Sequence, residues 1–267
     1  MDVLTLCLQI NLQPEIKKCV IDFYNNFNFD IVSKQLKEFL IYEKMKDAQI
    51  ELQAILGDDV DNIKILTCML KASVDIYDVY KVKGISDNIY FDTMKCYTRF
   101  INETYEMTGR LYFDRYWWTT RQSGGHLFRI GALEYEIKHV DDIVVISIHI
   151  PSDADFSPSV VDKSLAEAEE FFKRYYSELK NVEYYCHSWL LDRGLQKMLN
   201  EKSNIVSFQN RFEIFDEGEV DMEFIEWLFY TKSIDLQKLP EETSLQRNVK
   251  KHLLSGGVIR NAYGKLK

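Results

Sequence analysis

The sequence predicts an α+β protein of two domains, an all-α N-terminal half followed by a mixed α/β half. Helical periodicity runs almost unbroken to about residue 112, with scarcely a strand signal. Beyond that point extended runs interleave with single helices, the pattern of a mixed layered structure. The chain of 267 residues also exceeds the roughly 100–200 residues usual for one domain. The expected domains are 1–112 and 113–267, with the change of pattern falling somewhere in 109–116.

Taken in order, Pro14 suits the first position of a helix whose apolar stripe is Ile16, Val20, Phe23 and Phe27. Gly57 punctuates the pattern. A second stripe, Ile63, Leu66, Leu70, Val74 and Tyr77, starts near Asp61. A third, Tyr90, Met94, Tyr97, Ile101 and Tyr105, follows Ser86 and stops at Gly109. Such stripes suit antiparallel helices packed on one another.

After a short aromatic helix-like piece, "FDRYWWTTRQ", the paired glycines of "SGG" read as a turn, and Trp117-Trp118 as packing between the two halves. Two extended runs, "HLFRIGALEYEIKHV" and "IVVISIHIP", then flank Asp141-Asp142 and predict a hairpin. Ser157 is a plausible N-cap and Pro158 fits the first turn of a helix with the stripe Val161, Leu165, Ala168, Phe172, Tyr175 and Leu179. A strand over Val182–Leu190 comes next, covered on both faces, then a short helix capped by Asp192. The remaining elements read as a strand near Arg211–Phe215, a helix over Asp221–Tyr230 and a helix ending at Gly256-Gly257.

Composition narrows the function classes. With 42 acidic against 33 basic side chains the formal net charge is −9, and no concentrated basic patch offsets it, which argues against nucleic-acid binding. The N-terminus has an acidic second residue and no basic leader region. The longest strongly apolar run, Ile143–Ile150, falls far short of the ~20 residues that span a bilayer. These features predict a soluble, cytoplasmic chain without a membrane partner. The five cysteines are odd in number and never form C-x-x-C, so neither a disulfide framework nor a zinc site is expected. His126, His139, His149 and His187 lack metal-ligand spacing, and no metal is expected.

Cys186, His187 and Ser188 stand side by side, but neighbours on a strand point to opposite faces, so His187 cannot pair with either side chain there. Ser188 also lacks the flanking glycines of a G-x-S-x-G elbow. The strand-loop-helix unit "ISIHIPSDADFSPSVVDKSL" is more informative, because a helix N-terminus after a strand offers free N–H groups to an oxyanion. Its loop lacks glycine and carries Asp153 and Asp155, which favours a helix that is merely capped.

Four pieces in order, "YWWTTRQSGGHLFRIGALEYE", "ISIHIPSDADFSPSVVDKSLAEAEEFF", "CHSWLL" and "SNIVSFQNRFEIF", give the chain its resemblance to a bacterial family of acyltransferase-domain proteins. That family joins a helical N-terminal domain to a C-terminal domain similar to GNAT-type N-acyltransferases. The resemblance implies acyl-CoA between two splayed strands, here Ile143–Ile150 and Tyr184–Leu190, with its pyrophosphate at the loop Pro151–Ser157 and the helix from Pro158. Ile148 and Ile150 would then meet the pantetheine, and Ser157 and Ser159 the phosphates, while Cys186, His187 and Ser188 would line the cleft. Two departures are plain in the residues. The phosphate loop reads "PSDADFSP" in place of a glycine-rich Q/R-x-x-G-x-G/A, and "DRGLQKMLNEK" has no tyrosine for a general acid.

Two readings follow. In the first, the protein transfers an acyl group, with acetyl the expected case, from CoA to a small-molecule amine. His187 or His149 would be the base, Glu136 a carboxylate alternative and Ser188 a further catalytic candidate. In the second, it is a non-catalytic module of the same architecture that binds a small ligand or a protein partner.

Overall fold

The computed structural model describes residues 1–216 and 218–267. They pack as two compact units, Met1–Ile130 and Gly131–Lys267. The first unit is helical: α1 (Val3–Gln9), α2 (Pro14–Asn26), α3 (Ser33–Glu38), α4 (Met45–Leu56), α5 (Ile63–Lys83), α6 (Asp87–Met94), α7 (Cys96–Thr108) and α8 (Tyr116–Ser123), ending in a short strand, β1 (Leu127–Ile130). Pro14 opens α2, Ser86 caps α6 and Gly109 closes α7. The helix expected after Ser86 is broken at Lys95 into α6 and α7, and the α5 stripe is broader than its spacing predicts, burying Ile65, Met69, Ile76 and Tyr80 as well.

A buried polar chain ties this unit together. The Tyr97 hydroxyl lies 2.9 Å from Ser73 Oγ on α5 and 2.8 Å from Ser123 Oγ on α8, and the Tyr90 hydroxyl donates to the Ser73 carbonyl. Each hydroxyl would be costly to bury without a partner, so α5, α7 and α8 are held in one register. This packing groups α8, with Trp117 and Trp118, with the helices.

The second unit contains β2 (Leu133–Val140), β3 (Ile143–His149), α9 (Pro158–Tyr175), β4 (Tyr184–Ser188), α10 (Arg193–Met198), α11 (Asn204–Gln209), β5 (Phe212–Asp216), α12 (Phe224–Phe229), α13 (Ser244–Leu254) and β6 (Ala262–Leu266). Its strands lie in the order β2-β3-β4-β6-β5. The hairpin β2–β3 turns at Asp141, whose φ is 51°, and pairs Glu134 with His149 and Glu136 with Ser147. The first extended run is cut by Gly131, which takes φ 62° between β1 and β2. α9 covers one sheet face through Val161, Ser164, Ala168, Phe171 and Phe172, with Ser164 Oγ 3.0 Å from the Tyr135 hydroxyl. Leu165, expected on this stripe, is only half-buried.

Three further differences from the sequence expectation matter. β4 ends at Ser188, because Ser188 Oγ accepts a hydrogen bond from the Leu190 N–H (3.1 Å) and turns Trp189–Leu191 into a 3-10 helix. The strand is covered on one face only, with Cys186 buried and His187 exposed. The sequence reading also omitted α11 and β6. β6 lies between β4 and β5, antiparallel to both, where Gly264 faces Leu191 and Phe212. Below it Leu195, Phe224, Ile225, Leu228, Phe229, Val249 and Leu253 form a small helical core.

A Cβ added at Gly264 would sit 3.0 Å from both Leu191 Cδ1 and Phe212 Cβ. Gly264→Val is expected to lower the unfolding free energy by about 1–3 kcal/mol through overpacking. Urea denaturation measures this, and an unchanged midpoint would contradict the packing described.

Candidate active site

The site is built where β3 and β4 part. The two strands pair in parallel at Ile146 with Tyr184, Ser147 with Tyr185 and Ile148 with Cys186, and no further. Their outer edges stay paired beyond that point, His149 with Glu134 on β2 and Ser188 with Ala262 on β6. The inner edges therefore open towards the C-terminal ends of both strands. The Ile146 N–H donates to the Glu183 carbonyl across this inner edge (3.0 Å). Strand alternation puts the N–H groups of Ile148 and Ile150 on the same edge, with Ile150 beyond the last pair.

The loop after β3 leads into α9. Ser157 occupies the N-cap and Pro158 the first helical position, as expected, but the Ser157 side chain makes no capping bond. Instead Asp155 Oδ1 accepts from the Ser157 N–H (2.8 Å), and hydrogen bonds from Ser157 hold the Asp155 carboxyl below its usual range. Arg211, just beyond α11, donates to the Pro158 carbonyl (3.1 Å) and pairs with Asp162 (2.7 Å), and the Phe208 ring meets Phe156 edge-on at 5.2 Å. α11 and the loop into β5 thus brace the start of α9. Gln209 ties the same segment to the end of β4, donating to the carbonyls of Leu190 (2.7 Å) and Asp192 (3.0 Å).

On the sheet face away from α9, the hairpin register brings together two of the residues named from sequence. His149 Nε2 lies 2.8 Å from Glu136 Oε2. Glu136 is only 2% exposed, with Ser147 buried beside it on the same face. A buried carboxylate bonded to one ring nitrogen fixes the orientation of the imidazole.

His187 projects on this same face of β4, with its ring stacked 3.8 Å from that of Tyr263 on β6 at an interplanar angle of 10°. Partial burial, and after it the Lys138 ammonium, push the His187 pKa below its ordinary value, opposed by Asp221 and Asp216. Ser188 points to the opposite face with Cys186, and its oxygen is occupied by the Leu190 N–H. Burial raises the Cys186 thiol to about 12, so it is no thiolate. Tyr263, Gln209 and Arg211 were missed in the sequence. Only "NRFEIF", in the piece that carried the resemblance, pointed near two of them.

Among the described residues no group of three or more His, Cys, Asp or Glu side chains is arranged to hold a metal ion, and no helix is long and apolar enough to cross a membrane.

Solved structures similar to this chain include an acyltransferase in complex with decanoyl-CoA and teicoplanin, at 22% identity and a TM-score of 0.81. Others are an acyltransferase with CoA and 10C-teicoplanin (20%, 0.80) and an acyltransferase with decanoyl-CoA (18%, 0.81). Each similarity covers 98% of this chain and 86% of the other, and at such identities it establishes the shared fold. No curated protein matches the chain significantly. Residues 1–125 match the model of the N-acyltransferase N-terminal domain and residues 127–266 that of the GNAT-like C-terminal domain, so the chain belongs to the acyltransferase family that joins these two domains.

Proposed function

We propose that the protein is an N-acyltransferase that moves an acyl group from acyl-CoA to an amine acceptor. The observation that carries this reading is the parting of β3 from β4 after Ile148 and Cys186, beside a buried Glu136–His149 pair. Support also comes from the family and from the acyl-CoA complexes of the similar structures.

In this reading the inner edge of β3 holds the pantetheine through the backbone at Ile150, next to Ile148, which closes the ladder with β4, and the phosphates lie at the start of α9 beside Ser157 and Ser159. A β3 N–H on that edge polarises the thioester carbonyl and holds the oxyanion that forms when the amine adds to it. His149, oriented by Glu136, takes the proton that the amine nitrogen loses. The carbon–sulfur bond then breaks, the acyl group stays on nitrogen as an amide, and the CoA thiolate leaves and is protonated. The neutral His187 ring lines the acceptor side of the same face. Ser188, held by the Leu190 N–H, shapes the turn and takes no part in proton transfer.

A specific observation favours the second reading, a non-catalytic module that binds a small ligand or a protein. Asp155 already holds the Ser157 N–H at the helix mouth where a pyrophosphate would sit.

Three measurements bear on these readings. Calorimetric titration with acetyl-CoA and decanoyl-CoA is expected to give micromolar binding, and the absence of binding to either would leave only the module. Glu136→Gln and His149→Ala are each expected to lower kcat by ~10²–10⁴-fold with acyl-CoA binding retained. Full activity in both would remove the pair from the mechanism. Followed by NMR, His187 should titrate below the ordinary value of about 6.5. Lys138→Gln should move its midpoint up and Asp221→Asn should move it down, and no change in either variant would contradict the electrostatics described.

A further inference from the structure

On the exposed part of the sheet face that carries His149, four rings stand in a row. Tyr185 on β4 meets Phe215 on β5 edge-on at 6.1 Å, Phe215 lies 6.3 Å from Tyr263 on β6, and Tyr263 stacks on His187. Phe215 is 61% exposed and Tyr263 36%. β6 brings this row together by running between β4 and β5, and a register shift between Ile214 and Asp216 lifts Phe215 out of the regular ladder. Charges of both signs act on His187, the Lys138 ammonium most strongly and the Asp221 and Asp216 carboxylates against it. Asp216 accepts from the Gly218 N–H (2.8 Å). Asp221 accepts from the Glu223 N–H (2.8 Å) and the Asn261 side chain (2.7 Å). Both are held in place by backbone and amide donors, without a basic side chain in those bonds.

We propose that Tyr185, Phe215, Tyr263 and His187 form the acceptor platform, and that it takes an amine carried on a flat aromatic body, with the ammonium drawn by Asp216 and Asp221. This rests on the acyl-transfer reading. Three adjacent strands span about 9.5 Å, the breadth of one ring system. Four ring faces offer far less than the ~800 Å² that a stable protein partner covers. Asp216 and Asp221 favour a cation on their side of the row, opposite the Lys138 ammonium. Continuity along the sheet face leads from the platform to His149, where the same amine would lose its proton.

The test titrates the protein with tyramine and with butylamine, amines of like charge that differ in the ring, alongside decanoyl-CoA. Tyramine is expected to bind more tightly than butylamine. Phe215→Ala should weaken tyramine roughly 3- to 10-fold, the scale of one aromatic contact, leave butylamine and decanoyl-CoA unchanged, and be rescued by Phe215→Tyr. Equal affinity for the two amines, or tyramine binding untouched by Phe215→Ala, overturns the proposal while decanoyl-CoA binding keeps the transferase reading. Loss of self-association in Phe215→Ala by sedimentation, with tyramine binding untouched, overturns it in favour of contact between copies of the chain. Phe215-dependent tyramine binding without any decanoyl-CoA binding removes the transferase reading and overturns the acceptor role with it, leaving a binding site for aromatic amines.

Discussion

Two parallel strands that share a ladder and then separate leave unpaired backbone groups on both inner edges, and the organisation of the second unit follows from how that separation is held. β3 and β4 each remain bonded on their outer edges past the last shared pair, through Glu134–His149 and Ser188–Ala262. Neither strand can therefore relax towards the other without breaking a ladder elsewhere. The ends are fixed locally as well. Pro151 follows Ile150 and brings no N–H, and the Ser188 hydroxyl curls the chain into Trp189–Leu191. Gln209 then ties that turn to α11, while Arg211 ties the next segment to the start of α9. Backbone groups on an open edge seek partners, and an extended amide-bearing ligand supplies them in the way a neighbouring strand would.

The Glu136–His149 pair depends on the same framework. A carboxylate 2% exposed is costly to ionise without a partner. The hairpin register meets that need by setting His149 two pairs along from Ser147, on the face that Glu136 shares. Because β3 is held on its outer edge up to His149, the imidazole sits on a fixed residue just past the last pair shared with β4.

Much of the fold was legible in the residues because its signals are local. Periodic stripes, Pro14 and Pro158 at helix starts, Gly109 at a helix end and Asp141-Asp142 in a hairpin each act within a few residues. β6 escaped notice because "NAYGKLK" has no apolar alternation. Its strand character comes from filling the gap between β4 and β5, which only the assembled sheet creates. The site divides in the same way. His149, Glu136 and His187 could be named from residue chemistry, but the Glu136–His149 bond needs the register of a hairpin, and the His187–Tyr263 stack joins residues 76 apart in sequence through an unpredicted strand. Ser188 enters the candidate set through the resemblance, as a residue lining the cleft, and its bond to the Leu190 N–H depends on where the strand ends.

The acidic loop is where sequence and fold pull in different directions. Asp155 stays ionised at neutral pH, and it occupies the Ser157 N–H that a glycine-rich loop would offer to a phosphate. For acyl-CoA to bind as proposed, its phosphates must sit on the helix side of Ser157, against the N–H and hydroxyl of Ser159, where the α9 dipole favours negative charge. Arg211 stiffens that turn but spends its guanidinium on Asp162, Ser207 and the Pro158 carbonyl. Charge then contributes less to holding the ligand than in a basic phosphate loop. Backbone pairing along β3 would then have to contribute more, and that part of the proposed interaction depends on strand geometry, which the residue types of the loop do not reveal.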